Sequence, residues 1–361
     1  MATKAANDDR GTASVVRTFR AQHARGAFPG GQLVVRRGGA VVVDEAIGLA
    51  SGLRDGEPRV EVSRATRFQV FSASKPFVAM AIAMLEERGA LDVDAPLARF
   101  VPGWPADRTV RDVLTHRAGI LLPAVVADEQ RWGDPEEIVR EIARTPPRYR
   151  RGTLAYGPYE FGWILAEIIH RVAGESLPVF LKRELLAPAD IDVCFTTTSD
   201  DVARTYWLGA PRVVAGVEIS ARWEEVQNAP ATRAALVPGA GMIGTADALA
   251  RFYQLLLDGG RGLIRPETIR TYTTPLTTAF DRSNRMPLRV ARGFLCGQRL
   301  PSLYGWYGTR SCFGHAGAFS AAAWADPRRG LAVAYVTNAN RGPYDLLRRV
   351  ASIGTRARAT T

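Results

Sequence analysis

The segment FSASKPFVAMAIAMLEERGAL places Ser72 three residues before Lys75, at the start of an apolar run. Residues three apart share one face of a helix, so the two side chains can touch. A serine hydroxyl becomes an effective nucleophile when a base takes its proton, and a lysine is such a base once burial makes it neutral. The positive end of the helix would stabilise an oxyanion there. The pair predicts nucleophilic catalysis; the alternative is that Ser72 or Ser74 caps the helix and Lys75 is solvated.

The composition of the chain strengthens the case for a special role of Lys75. Lysine and arginine together number 47, and only Lys4, Lys75 and Lys182 are lysines, which leaves 44 arginines. Arginine stays protonated in proteins, whereas a buried lysine can lose its proton. A lysine in a chain that uses arginine at nearly every other cationic position therefore favours a base over a plain positive charge.

The elements around this pair predict two lobes. Two β-branched runs around Arg37-Gly38-Gly39 indicate a hairpin, and AFSAAAWADPRRGLAVAYVTN indicates two further strands joined at Asp326-Pro327. Between these segments, apolar residues recur at helical spacing and prolines separate the runs. We expect an α/β (α+β) fold with strands at both ends of the chain and helices between them. The expected lobes are a discontinuous α/β lobe (13–70 and 235–355) and a mainly helical lobe (71–234).

Length and composition exclude several classes of protein. The 361 residues are 47% hydrophobic and 9% aromatic, as in a globular protein. The longest apolar runs fall short of the roughly 20 residues that cross a bilayer, so we expect no membrane partner. The N-terminal segment lacks the apolar core of a secretory signal, which predicts a cytoplasmic location.

The net charge does not indicate nucleic-acid binding, and the histidines and cysteines do not indicate a metal site. The net charge is +11, but the arginines are scattered and lack interleaved aromatics, so a solvated basic surface is favoured over specific nucleic-acid binding. The histidines are far apart, and Cys194, Cys296 and Cys312 show no paired spacing. We expect buried single thiols, no metal and no cofactor.

Six segments occur in a familiar order. The Ser72–Lys75 motif is followed by LDVDAPLARFVPGW, TVRDVLTHRAGI, YGPYEFGWILAEII, GAGMIGTADALARF and FGHAGAFSAAAWADPRRGLAVAYVTN. From about residue 30 to 340 the chain resembles the serine β-lactamase-like superfamily. It is most similar to the branch of class C β-lactamases, DD-peptidases, family VIII carboxylesterases and lovastatin-type acyltransferases. The resemblance implies a β-lactamase/transpeptidase-like fold, with an antiparallel sheet flanked by helices and an all-helical insertion.

The resemblance also implies roles for the first two motifs. Ser72 would be the acylated nucleophile, Lys75 its base, and Tyr156 a partner in the proton shuttle. A neighbouring ammonium ion favours a phenolate, which would help Tyr156 to give up its proton. The alternative for Tyr156 is an aromatic residue at the rim that packs on the following helix. His116, in LTHRAGI, is expected to be structural and to bind loop backbone near the site.

The GHAG segment completes the expected site. The resemblance places His315 where β-lactamases have the lysine of Lys-Thr-Gly. There it would hydrogen bond with a substrate carbonyl or carboxylate, or adjust the Tyr156 proton. The alternative is a histidine at the strand edge whose hydrogen bonds are all made within the protein. Gly317 would let the substrate approach the strand. The N–H groups of Ala318 and Ser72 would form the oxyanion hole. Candidates for the substrate-binding wall, chosen by size and segment, are Trp132, Tyr159, Trp223 and Tyr307.

One departure from the family pattern bears on the substrate. The Asn of Tyr-x-Asn is replaced, since Tyr156 is followed by Gly157 and Pro158. Proline has neither a side-chain amide nor an N–H, and His315 replaces the lysine of the third motif. Both changes argue against recognition of β-lactams or D-Ala-D-Ala peptides.

We therefore expect a serine hydrolase that acts through an acyl-enzyme on an ester or amide of a small molecule. The first alternative is an acyltransferase that passes the acyl group to an alcohol or amine. The second is an inactive homologue that binds a ligand. The expected partners are a small-molecule acyl donor and, for a transferase, an acceptor; the sequence predicts no oligomeric state.

Overall fold

The computed structural model describes residues 2–121, 129–211, 213–214, 217–299, 302–318 and 320–359. The strands, in chain order, are β1 (Gly30–Arg37), β2 (Ala40–Ser51), β3 (Val60–Glu61), β4 (Phe68–Gln69), β5 (Val193–Cys194), β6 (Tyr206–Trp207), β7 (Val213–Val214), β8 (Val217–Glu218), β9 (Ile243–Gly244), β10 (Thr277–Asp281), β11 (Met286–Val290), β12 (Leu295–Cys296), β13 (Phe313–Gly317), β14 (Ala321–Asp326), β15 (Leu331–Thr337) and β16 (Ala339–Asn340).

The α-helices are α1 (Ala2–Ala24), α2 (Lys75–Glu87), α3 (Val110–Leu114), α4 (Pro135–Arg144), α5 (Glu160–Ala173), α6 (Leu177–Leu181), α7 (Ile219–Asn228), α8 (Pro230–Ala234), α9 (Ala246–Leu257), α10 (Pro266–Thr273) and α11 (Pro343–Ala359). Short 3₁₀ turns cover Phe71–Ser74, Leu97–Arg99, Glu129–Gly133, Gly259–Gly262 and Pro327–Arg329, and a π-helical turn covers Lys182–Leu186.

A nine-stranded sheet in the order β10-β11-β12-β13-β14-β15-β1-β2-β3 forms the centre of the fold. Every pairing in it is antiparallel. The predicted hairpin is β1–β2, which turns at Gly38-Gly39, where both φ angles are positive and glycine is the residue that tolerates them. The two predicted C-terminal strands are β14 and β15, so these sequence-based predictions are confirmed.

Both faces of the sheet are buried, each by its own helices. In β15, Leu331, Val333 and Tyr335 contribute to a core shared with α1 and α11, whereas the alternate residues contribute to the core shared with α2 and α9. This alternation follows from the two-residue repeat of a strand. An antiparallel sheet flanked by helices, as expected, is therefore the architecture of the chain.

The segment 71–234 is mainly helical, but it also holds the short strands β5 to β8, which the sequence analysis did not predict. Its central helix, α2, is buried from Lys75 through Leu85, so it is enclosed on all sides and runs through the core. The division into two lobes stays a prediction. Among the described residues, no helix is both long enough and apolar enough to cross a membrane.

Candidate active site

The nucleophile candidate sits on a tight turn directly before α2. Ser72 lies in the 3₁₀ turn Phe71–Ser74, and the α-helix begins at Lys75. The expectation that both residues lie on one face of the same helix is therefore corrected, because Ser72 precedes the helix. Pro76 accounts for this start, because its fixed φ and missing N–H suit the first turn of a helix. Phe71 has a φ of 49°, which reverses the chain before Ser72. Ser72 is half-buried, whereas Lys75 is 0% exposed.

Three oxygen atoms surround the Lys75 amine. Its Nζ lies 3.1 Å from Ser72 Oγ, 2.7 Å from the Pro158 carbonyl oxygen and 2.9 Å from the Gly239 carbonyl oxygen. The two carbonyl groups can only accept hydrogen bonds. A neutral amine therefore gives both of its hydrogens to them and keeps its lone pair for the Ser72 hydroxyl. The carbonyl of Pro158 thus takes part in the site, although its side chain offers nothing.

Burial makes the neutral form of Lys75 accessible. It lowers the pKa of Lys75 to about 7, while the negative charge of Glu160 opposes that shift. A cation in a poorly solvated interior loses its hydration, which disfavours the charged form. At neutral pH about half of the molecules would therefore carry Lys75 as a base, which an arginine at this position would not provide.

The Gly239 carbonyl reaches Lys75 because its loop touches helix α5. A Cβ atom on Gly162 would lie 2.1 Å from the Gly239 nitrogen and 2.6 Å from its Cα, so only glycine fits at position 162. Sequence reasoning missed Gly162. The available signal was an isolated glycine inside a helical pattern, which often marks a close approach of two backbones.

The segment before α5 is held on one side by Asp281, at the end of β10. This carboxylate is 0% exposed and accepts the Tyr156 N–H at 2.7 Å, as well as two N–H groups of its own turn. A second hydrogen bond runs the other way, from Arg282 N–H to the Leu154 carbonyl. Asp281 fixes the position of Tyr156, and no motif in the sequence had indicated it.

On the other side the same segment is held by His116. Its carbonyl accepts the Ala155 N–H at 2.9 Å, and its Nδ1 accepts the Gly157 N–H at 3.2 Å. Burial and the nearby Lys75 hold the pKa of His116 well below its usual value, so the ring is neutral with Nδ1 unprotonated. The prediction that His116 binds loop backbone is confirmed.

The Tyr156 side chain faces both Ser72 and Lys75. The Lys75 Nζ lies 5.0 Å from the centre of the Tyr156 ring. Burial, and to a smaller extent the Asp281 charge, raise the pKa of Tyr156, and a hydrogen bond with Ser72 only partly opposes this. The sequence-based expectation that the Lys75 cation favours a phenolate is therefore wrong, because loss of hydration outweighs it. Tyr156 is a protonated phenol that can relay a proton.

His315 is a neutral imidazole on β13. It is 2% exposed, and its Nδ1 lies 2.7 Å from the Ala316 carbonyl oxygen, which can only accept, so Nδ1 carries the hydrogen. Burial and the charge of Lys75 lower the pKa of His315 to about 3. Its ring centre lies 6.0 Å from that of Tyr156. The site thus has a hydrogen-bond acceptor at Nε2 where β-lactamases have an ammonium group.

Gly317 lies against the residues before Ser72. A Cβ atom there would lie 1.9 Å from the Val70 carbonyl oxygen, so glycine allows β13 to pass close to them. Its expected role in substrate approach stays a prediction. Ala318, next along the chain, is half-buried and has a φ of 32°. The close approach of the two segments brings the backbone of Ala318 towards that of Ser72.

The four candidate wall residues have different surroundings. Trp223 stacks on Phe71, with ring centres 5.8 Å apart, which places it beside the nucleophile turn. Tyr159 packs against Trp132, with ring centres 5.4 Å apart, but Trp132 is 4% exposed and lies inside the helical segment. Tyr307 is 76% exposed on the loop before β13. The structure therefore brings Trp223 and Tyr159 towards the site and leaves Tyr307 at the surface.

Comparisons with known proteins agree with this geometry. The sequence model of the Beta-lactamase family matches residues 15–353. Esterase/beta-lactamase LipL of Mycobacterium tuberculosis is 28% identical over 365 residues, which cover 90% of this chain and 81% of that protein. A penicillin-binding protein homologue from Caulobacter crescentus has a similar structure, with a TM-score of 0.84, 26% identity, and coverage of 97% of this chain and 98% of the other.

A solved structure described as a family VIII carboxylesterase has the same fold, with a TM-score of 0.79 and 23% identity over 95% of this chain and 97% of the other. Together with the arrangement of Ser72, Lys75 and Tyr156, the match along nearly the whole chain gives the assignment: the protein belongs to the β-lactamase family.

Proposed function

We propose that the protein is a serine hydrolase that cleaves small uncharged esters through an acyl-enzyme on Ser72. The observation that carries the proposal is the Lys75 amine, which is buried and held by two carbonyl groups so that its lone pair faces Ser72 Oγ at 3.1 Å. This arrangement supplies the base that a serine hydroxyl needs. The esterase names among the relatives support the same class of activity.

In the first half-reaction, Ser72 Oγ attacks the ester carbonyl carbon and its proton passes to Lys75 Nζ. The negative charge that develops on the carbonyl oxygen is stabilised by the N–H groups of Ser72 and Ala318. When the intermediate collapses, the bond to the leaving alcohol breaks. The alcohol takes up the proton from Lys75 by way of the Tyr156 hydroxyl, which hydrogen bonds with Ser72.

In the second half-reaction, water attacks the acyl carbon and gives a proton to Lys75. The bond between the acyl carbon and Ser72 Oγ breaks, and the proton returns to Ser72. The products are a carboxylic acid and the free enzyme. If a bound alcohol or amine takes the place of water, the same site performs acyl transfer.

Two features favour an uncharged ester. First, β13 presents the neutral His315, whose Nε2 accepts a hydrogen bond and repels a carboxylate. Second, Trp223 stacks on the buried Phe71 of the nucleophile turn, and Trp207 packs against Trp223, with ring centres 5.8 and 5.6 Å apart. The two partly exposed tryptophans suit contact with an apolar acyl or alcohol group.

The test compares the hydrolysis of p-nitrophenyl butyrate, of an ester with a free carboxylate and of a chromogenic cephalosporin. We expect the neutral ester to be preferred by at least about 100-fold in kcat/KM, because an unpaired buried charge costs several kcal/mol. Faster release of nitrophenol on addition of an amine would show acyl transfer. Release no faster than in Ser72→Ala would contradict the proposal and favour the alternative of an inactive homologue.

A further inference from the structure

We propose that Glu160 is the counter-charge that sets the protonation equilibrium of Lys75. Glu160 is the first residue of helix α5 and is only 2% exposed. It lies within the YGPYEFGWILAEII segment, but the sequence analysis gave it no role. Only the expected effect of Glu160 on activity rests on the proposed function, because the charge of Lys75 can be measured without an activity assay.

The position of Glu160 follows from contacts on both sides of it. Its Oε2 accepts the Tyr159 N–H at 3.2 Å and would lie 3.2 Å from a Cβ atom on Gly157. The Pro158 carbonyl, between these two residues, accepts from Lys75 Nζ at 2.7 Å. The carboxylate and the amine therefore bind opposite sides of one short backbone segment.

The following residue ties Lys75 to the same end of α5. The Lys75 Nζ lies 5.7 Å from the ring centre of Phe161, so the amine rests against the first turn of the helix. A helix N-terminus carries partial positive charge, which repels a cation. A carboxylate in the first turn offsets that charge. Without it, the protonated form of Lys75 would face both burial and the helix dipole.

A small cavity of about 20 Å³ lies beside the carboxylate, lined among others by Glu160, His116 and Gly157. The rest of the lining is mostly apolar. A negative charge on Glu160 at this depth is therefore favoured by the Tyr159 N–H, which donates to Oε2 of the carboxylate.

Apart from the carboxylates of Glu160 and Asp281, the described titratable groups around Lys75 do not supply negative charge at neutral pH. Tyr156 and Ser72 are neutral, and His116 and His315 are neutral imidazoles because burial, together with the charge of Lys75, lowers their pKa. The Gly239 loop contributes only a carbonyl. Asp281 faces the Tyr156 backbone from the β10–β11 turn. Glu160 is the group whose charge opposes the effect of burial on Lys75.

The chain allows a direct test, because it contains only three lysines. Protein labelled with 13C at the lysine ε carbons gives three signals, and Lys4→Arg and Lys182→Arg identify two of them. The pH titration of the remaining signal reports the pKa of Lys75. We expect Glu160→Gln to lower this pKa by about one unit, the size of a partly screened interaction between two charges on either side of one backbone segment. The acid limb of kcat/KM for p-nitrophenyl butyrate should move to lower pH by the same amount.

Glu167→Gln is the matched control, since Glu167 is on the same helix and pairs with Arg171 at the surface. It should leave both titrations as in the wild type, and Glu160→Asp, which keeps the charge, should do nearly the same. If the glutamine variant does not fold, Glu160→Ser carries the same expectation, because serine suits a helix N-terminus.

An unchanged Lys75 titration in the uncharged variant would overturn the inference and leave the proposed function standing. A shifted Lys75 titration with an unmoved acid limb would support the inference and refute the role of Lys75 as the base. The two failures are therefore distinguishable.

Discussion

Replacing Gly162 by alanine tests the backbone contact that brings the Gly239 carbonyl to Lys75. The added Cβ would lie 2.1 Å from the Gly239 nitrogen, 2.6 Å from the Gly239 Cα and 2.9 Å from the Pro238 carbonyl carbon. All three are backbone atoms, which cannot rotate away. The Gly239 loop must therefore move, and with it one of the two carbonyl groups that orient the Lys75 amine.

The sign of the change in the free energy of unfolding distinguishes a steric clash at this contact from the usual effect of replacing glycine by alanine in a helix. Alanine in place of glycine within a helix stabilises a protein by up to about 1 kcal/mol. Overpacking against a fixed neighbour costs about 1–3 kcal/mol. We expect the second effect to prevail, so the free energy of unfolding in urea should fall by about 1 kcal/mol or more.

Activity should fall by a larger factor. A hydrogen bond to a charged group contributes about 1.5–3 kcal/mol, and each 1.36 kcal/mol corresponds to tenfold in rate. Loss of the Gly239 contact should therefore lower kcat/KM for p-nitrophenyl butyrate about 10- to 100-fold. Gly133→Ala is the control, because a Cβ there meets no atom within 4 Å. A Gly162→Ala variant that is more stable than the wild type and equally active would refute the reasoning.

Three further predictions concern Lys75 and Tyr156. Lys75 is the proposed neutral base and has a pKa of about 7, so kcat/KM should fall about tenfold per pH unit below that value. A flat profile from pH 5 to 8 would contradict the proposed role. Burial lowers the pKa of Lys75 from 10.5, so the unfolded chain binds this proton more tightly than the folded one. The wild type should therefore lose stability as the pH falls from about 10 to 7, whereas Lys75→Met should not lose this contribution. The difference in the free energy of unfolding between the variant and the wild type should increase over this range and stay constant below pH 7, as measured by urea titrations at several pH values. Asp281→Ala should lower the free energy of unfolding by about 3 kcal/mol or more, because it leaves the Tyr156 N–H and two turn N–H groups without their acceptor. It should also lower kcat more than it raises KM. Unchanged stability would contradict the conclusion that Asp281 holds the Tyr156 backbone in place.

The parts of the fold that follow from local sequence were predictable. The β1–β2 hairpin was recognisable from its β-branched runs and glycine turn, and the pair Ser72 and Lys75 from its spacing, because neighbours in sequence decide both. Tyr156 and His315 were located by the order of the motifs, which carries information that a single sequence pattern does not.

The parts that depend on distant contacts were not predictable. The two carbonyl groups on Lys75 come from residues 83 and 164 positions away, and a backbone carbonyl leaves no signature in the sequence. Asp281 reaches Tyr156 across 125 positions. Size alone did not separate Trp223 from Tyr307, since exposure is set by tertiary packing. The pKa of Tyr156 likewise depends on burial, which the motif does not encode.

The central claim is that Ser72 becomes covalently acylated. Its most direct test is the intact mass of the protein after brief incubation with p-nitrophenyl butyrate, for the wild type, Ser72→Ala and Ser74→Ala. Ser74 is the matched control, because it lies on the same turn, is fully buried, and its hydroxyl has no hydrogen-bond partner among the described residues. We expect one butyryl group on the wild type and on Ser74→Ala, and none on Ser72→Ala. A mass gain in Ser72→Ala would contradict the account. So would a wild type that releases nitrophenol through several turnovers but gains no butyryl group and is not labelled by a fluorophosphonate.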